Sequence, residues 1–203
     1  MQGGERLVSV KDLITEIRIS LLATLSLATI LCGMYPLSIW IVAQGLFPAR
    51  ANGSFVARGG TVLGSGLIGQ EFADAKYFHS RPSAAGRGYD ACSSGGSNLG
   101  PTSRKLIDAV GRRVLEYRKE NSLSSDILVP ADAVTASASG LDPHISLRNA
   151  LLQAPRVARA RRLSERTVRE QIEAHTQGRD LGIFGEPRVN VFMLNLALDG
   201  ASK

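Results

Sequence analysis

From Ile19 to Ala49 the chain runs for 31 residues without a formal charge, and most of them are apolar. A helix rises about 1.5 Å per residue and the hydrocarbon core of a bilayer is roughly 30 Å thick, so about 20 apolar residues suffice to cross it. Lipid offers the backbone no hydrogen-bond partner, and a lone segment satisfies its own polar groups only as a helix. The stretch therefore predicts one transmembrane helix over residues 19–44, a preceding tail over 1–18 and a soluble domain over 45–203. Pro36 removes one internal bond and predicts a kink, repaired by a neighbouring helix or a Ser/Thr hydroxyl. Trp40, the only tryptophan, and Phe47 suit an interfacial anchor at the far end. A cleaved signal peptide, with Ala49-Arg50-Ala51 as a small-x-small cleavage site, is the competing reading. Signal h-regions run about 7–15 residues behind a short basic head. Here the head has 18 residues, and Glu5, Asp12 and Glu16 balance Arg6, Lys11 and Arg18.

With the tail neutral, the whole excess of the formal charge of +6 lies after the apolar span. Anionic lipid headgroups, an acidic protein partner or nucleic acid would each suit that balance. Cys32 falls in the span and Cys92 beyond it, so no internal disulfide is expected. Three cations precede the span, and Arg50 and Arg58 follow it. The positive-inside rule then places the N-terminus in the cytoplasm and the soluble domain outside it.

About 155 residues remain beyond the span, enough for one domain with a real core. Phe55–Arg58 and Thr61–Leu63 read as short strands around Gly59-Gly60, and the Gly-, Ser- and Asn-rich 86–100 as a long loop. A helix opens at Pro101 or Thr102 and ends near Glu120, with Leu106, Ile107, Val110 and Val114 at helical spacing. Residues 127–130 and 134–136 read as strand material. Ser146 is expected to cap a helix over 147–153, and Pro155 to open a second helix, the two meeting at Ala154. Ser164 caps a further helix to about His175, with Leu163 positioned to staple onto Val168. The end of the chain reads as a short strand and a terminal helix. The predicted class is α+β: a single N-terminal transmembrane helix followed by one mixed α/β soluble domain.

The glycine-rich Gly59–Gly69 lacks the lysine of a P-loop, and its Gly64, Gly66 and Gly69 match G-x-G-x-x-G without a βαβ unit around them. Structural turns are expected there. Ser139, Asp142 and His144 invite a membrane-tethered hydrolase using Ser139 and His144, but residues so close in sequence do not easily form a relayed triad, and no G-x-S-x-G elbow is present. His79, His144 and His175 lack ligand partners at i+3 or i+4, so no metal site is expected. Arg156 to Arg169 holds six arginines and one acid with no interleaved aromatic. That pattern argues against nucleic acid and predicts a solvated helix face, with anionic lipid or an acidic subunit as the remaining partners.

Taken together, Gly64–Gln70 (GSGLIGQ) with Phe72, Tyr77–Ala84 (YFHSRPSA), Ser94–Asn98 (SGGSN), Val134–Asp142 (VTASASGLD), Gln153 with Arg156–Arg161, Gly185–Val191 and Leu194–Asp199 (LNLALD) resemble the C subunit of the Kdp-type potassium-transporting ATPase. Tyr35-Pro36 in the single anchor matches as well. The resemblance implies an accessory subunit of a bacterial inner-membrane complex, without a catalytic centre or cofactor of its own. Its implied partners are a potassium-selective channel-like subunit, an ATP-hydrolysing P-type subunit and membrane lipid. It further implies a catalytic chaperone that raises the ATP affinity of the pump subunit, with Gln153 at the nucleotide. ATP is cytoplasmic, whereas the charge bias places the soluble domain outside; if the domain is outside, a direct ATP role is excluded and a place near the potassium entrance follows.

Overall fold

The computed structural model describes residues 9–201, and the chain divides into two units, Met1–Ser54 and Phe55–Lys203. In the first, a continuous helix runs from Val10 to Leu46, 37 residues, with none of its apolar window buried in the protein. It is long and apolar enough to cross a bilayer, spanning about 55 Å at the standard rise. It begins well before the uncharged stretch, because Ser9 accepts a bond from the Lys11 N–H at 3.4 Å and residues 10–18 contain no glycine or proline to interrupt the helix. The predicted site of distortion at Pro36 is a widened turn. α1 (Val10–Ala28) and α2 (Tyr35–Leu46) are joined by a π-helical turn, Thr29–Met34, in which the Tyr35 N–H reaches back five residues to Ile30 O. One wide turn steers the proline ring away from the carbonyl it would strike in a regular helix. Beyond it the Ser38 hydroxyl donates to Met34 O at 2.8 Å. A four-residue helix α3 (Pro48–Ala51) closes this unit.

The second unit opens with an antiparallel hairpin, β1 (Phe55–Arg58) and β2 (Thr61–Ser65), turning at Gly59-Gly60 as expected. Residues 66–103 then form no helix or strand. α4 (Arg104–Asn121) follows, with Ser103 as its cap residue and Ser122 in the left-handed conformation at its end. The expected strands at 127–130 and 134–136 do not form; instead Pro130 leads into a short helix, α5 (Ala131–Val134). The reason is distant in sequence. The Asp132 carboxylate accepts bonds from the Ser146 N–H at 2.8 Å, the Ser146 hydroxyl at 2.9 Å and Asn149 Nδ2 at 2.9 Å, which a strand would not align.

β3 (His144–Ser146) feeds directly into α6 (Leu147–Arg161), where the Ser146 hydroxyl accepts from the Asn149 N–H, the cap read from the sequence. The break expected at Ala154 is absent, and α6 runs through Pro155 as one helix. A proline inside a helix costs about 3 kcal/mol. Here Ala150, Ala154, Val157 and Ala158 are all buried along one face, and packing of that face holds the continuous helix. α7 (Glu165–Ala174) is capped by Ser164, and β4 (Thr176–Gln177), β5 (Arg188–Asn190) and α8 (Val191–Ala201) complete the chain. The three strands form an antiparallel sheet in the order β3-β5-β4. One face of α6, the buried side of α7 (Val168, Ile172), Val189 and α8 (Leu194, Leu198) make the core, with Phe78 inserted from the irregular segment.

Gly140 lies where two irregular stretches cross. Its φ is +68°, and an added Cβ would sit 2.6 Å from both Ala85 N and Gly95 O. Gly111, in the middle of α4, has open space around it. Gly140→Ala is therefore expected to lower stability by about 2 kcal/mol or more, and Gly111→Ala to raise it by about 0.5–1 kcal/mol. Chemical denaturation of the detergent-solubilised chain measures both signs.

Candidate functional site

Buried backbone without a ladder still needs partners, and side chains supply them to the irregular segment. Asn195 of α8 accepts the Phe78 N–H at 2.8 Å and donates to Phe78 O at 3.0 Å. From the other side Gln153 of α6 accepts the His79 N–H at 2.7 Å and donates to His79 O at 3.2 Å. Two carboxamides thus stand in for neighbouring strands. Arg156 donates to Ala75 O at 2.6 Å and Tyr77 O at 2.9 Å, and Arg161 to Lys76 O at 2.7 Å.

Asn149, Gln153 and Arg156 occupy i, i+4 and i+7 of α6, and all three are buried. Gln153 is 1 % exposed, and its remaining capacity goes to Asn149 Oδ1 at 2.9 Å and the Arg156 guanidinium at 2.8 Å. An amide has two donors and two acceptor positions, and Gln153 uses all four. Asn149 Oδ1 also accepts from the Tyr117 hydroxyl at 2.8 Å, and Arg156 Nε donates to Asn121 at 3.0 Å. Burial pushes the Tyr117 phenol up from its ordinary value and pulls the Arg156 guanidinium down, the Glu120 carboxylate opposing the latter.

Asn149, Gln153 and Tyr117 line a cleft of about 290 Å³ together with Glu71, Arg113, Glu116 and Glu120. His79 Nδ1 lies 2.9 Å from Glu120 Oε1, and His79 Nε2 lies 3.2 Å from Asp74 O. Both ring nitrogens face acceptors, so the two bonds form together only in the imidazolium. The hydrogen bond to His79 holds the Glu120 carboxyl below its ordinary value against the opposing effect of burial. Tyr89, half-buried at the edge, donates to Arg81 O at 2.6 Å, and burial pushes its phenol up to about 12.

A second cluster lies on the loop before β3. Asp142 pairs with Arg81 at 2.9 Å and accepts from the His144 N–H at 3.0 Å, with His144 Nδ1 at 3.3 Å. Burial works against ionisation of Asp142, but the bonds from the His144 ring and backbone and from Arg81 outweigh it and hold the carboxyl at about 2. Here the Asp–His half of the imagined triad exists, and the nucleophile does not join it. The Ser139 hydroxyl accepts from the Leu141 N–H at 3.1 Å and lies 3.4 Å from Ser137 Oγ, with no bond to His144.

The expected solvated arginine face is corrected in two positions. Arg156 and Arg161 turn inward, Arg161 also pairing with Asp199 at 2.8 Å, whereas Arg166 and Arg169 pair on the surface with Glu170 and Glu165. His175 lies at the end of α7 against Gln171 O, remote in the hydrogen-bond pattern from both clusters. Sequence reasoning singled out Gln153 but missed Asn149, Asn195 and Arg81. The signal for Asn149 was present: Asn149, Gln153 and Arg156 keep step with Ala150, Ala154 and Val157, so polar groups share the helix's buried side.

A family model described as the K+-transporting ATPase, c chain, KdpC, matches residues 17–200. The potassium-transporting ATPase KdpC subunit of Mycobacterium tuberculosis (strain H37Rv) is 58 % identical over 179 residues, 88 % of this chain and 95 % of the relative. That of Nitratidesulfovibrio vulgaris is 55 % identical over 188 residues, covering 92 % and 95 %. The subunit of Rhodopseudomonas palustris (strain BisB5) is 50 % identical over 204 residues, covering 94 % and 100 %.

Removing the Gln153 amide strands buried groups on both sides of it, so Gln153→Ala is expected to cost about 2–4 kcal/mol. Hydrogen exchange should accelerate selectively at the His79 amide, which checks that the loss acts through this segment. Asp142 has a depressed folded-state pKa, so its contribution is complete above about pH 4 and is lost as pH falls through about 2. The stability difference between the native chain and Asp142→Asn should be about 2 kcal/mol at pH 6 and close to nothing by about pH 2, as read from denaturation midpoints.

Proposed function

Because the chain belongs to the KdpC family, the c chains of K+-transporting ATPases, we propose that it serves its complex as a non-hydrolysing accessory subunit supporting assembly or turnover. On this reading one helix anchors it in the bacterial inner membrane. The second unit lies on the extracytoplasmic side, beside a potassium-selective channel-like subunit and an ATP-hydrolysing P-type subunit. The carrying observation is that the amide at the centre of the cleft is saturated and the candidate nucleophile outside it is bonded elsewhere. Gln153 has no free donor or acceptor, and Ser139 has no base. A hydrolase keeps a nucleophile within reach of its base; an accessory domain uses the same groups to fix its shape.

The saturated amide also bears on nucleotide. Contact between Gln153 and ATP requires breaking bonds to His79, Asn149 or Arg156, and an extracytoplasmic domain meets no ATP. We therefore assign any chaperone-like effect on the ATP affinity of the pump subunit to contacts through the membrane helices. Charge asymmetry supports the orientation, with Arg6, Lys11 and Arg18 before the span and Arg50 and Arg58 after it.

The two cysteines provide the test. Cys92 is exposed in the second unit, and Cys32 lies in the apolar span. A membrane-impermeant maleimide added to intact spheroplasts should label the native chain and leave Cys92→Ser unlabelled. Labelling only after permeabilisation would put the domain in the cytoplasm and restore nucleotide as a candidate ligand.

A further inference from the structure

Between β4 and β5 the chain makes a turn that exposes what a soluble surface usually hides. Leu181 is 88 % exposed, Ile183 72 % and Phe184 63 %. The turn is tightly tied, since the Asp180 N–H donates to Phe184 O at 2.8 Å and the Phe184 N–H to Asp180 O at 2.9 Å. Two ion pairs brace its base, Arg179 with Glu186 at 3.0 Å and Arg188 with Asp180 at 3.2 Å. Leu181 has φ +54°, a left-handed conformation that leucine adopts at a cost. A glycine there would remove both the strain and the exposed side chain. A chain that holds a leucine in that conformation and leaves it in water uses the side chain elsewhere.

We propose that Leu181, Ile183 and Phe184 form a preformed knob that inserts into an uncharged apolar pocket on a protein partner within the transport complex, an inference that rests on the accessory-subunit reading. Charge selects protein over lipid. A loop drawn to an anionic membrane surface presents free cations, and residues that favour the headgroup interface are typically Trp and Tyr. Residues 179–188 have two cations and two anions, and contain no Trp or Tyr. Their four charges are paired with one another below the knob. A neutral apolar knob on a rigid turn loses little conformational freedom on docking, which favours a matching pocket.

The test uses the full chain, tagged and co-expressed with its partner subunits, and reads the recovery of the channel-like and ATPase subunits identified by mass spectrometry. Leu181→Ser with Phe184→Ser should reduce recovery about tenfold or more, with an unchanged melting temperature because both side chains are exposed. Leu181→Gly separates docking from folding: it should melt at the same or a higher temperature and still recover less partner. A second readout labels Phe184→Cys, in a Cys32→Ser, Cys92→Ser chain, with an environment-sensitive dye. Its emission should shift to the blue in the assembled complex and stay unshifted in phosphatidylcholine vesicles holding this chain alone. Native-like recovery by both tip variants, or a blue shift in those vesicles, overturns the proposal. If the native chain itself recovers neither subunit, the accessory-subunit reading falls with it, a result distinct from loss in the variants alone.

Discussion

The second unit depends on two carboxamides that bond the backbone of adjacent residues from opposite sides. Asn195 holds Phe78 and Gln153 holds His79, each through one accepted and one donated bond. Without them the segment 66–103, which has no helix or strand, would carry buried N–H and C=O groups with no partner, each costing about 1–3 kcal/mol. With them Phe78 reaches the core, and α6 and α8 are joined through the chain that passes between them. The arrangement explains how so much irregular backbone lies inside a domain whose sheets have two and three short strands.

The same economy governs the cleft. Gln153, which holds the segment, and its partner Asn149 also line the cleft, so these two residues are both fold and site. Low local dielectric strengthens each bond and makes each missing one expensive. A ligand reaching for these atoms competes against satisfied partners. The sides of the cleft are different. Glu71 and Glu116 make no ion pair among the described residues, and Glu120 is shared with His79 and Arg156.

Local signals were readable from the chain itself. Ser146 and Ser164 announced their helices because a cap acts over three residues, and the hairpin of β1 and β2 followed from Gly59-Gly60. The membrane-length helix was legible from composition alone. Where sequence reasoning went astray, the deciding contact was remote. Asp132 holds helix α5 at 131–134, between the two stretches expected to be strand, through Ser146 and Asn149, 14 and 17 residues away. Pro155 looked like a boundary because its local cost is plain, whereas the buried face that outweighs it is spread over α6, α7 and α8. Gln153 stood out by resemblance; two of its four bonds reach back 74 residues to His79 and leave no local trace. The exposed knob at 181–184 was hidden for the opposite reason, since an apolar run reads as core until the turn is seen.

Arginine usage connects these points and changes what the positive charge means. A formal charge of +6 suggests an anionic partner when read from composition. In the structure Arg113, Arg118 and Arg148 donate to Val134 O, Ile127 O and Leu128 O, carbonyls of the stretch that did not become strand. Arg156 and Arg161 do the same for residues 75–77. A guanidinium has five donors and no acceptor, which suits it to backbone whose carbonyls have lost their ladder. Five arginines thus hold irregular chain through carbonyl bonds, while each guanidinium keeps its charge. These arginines keep loops in place, and the uncharged knob offers a neighbour a contact that needs none of them.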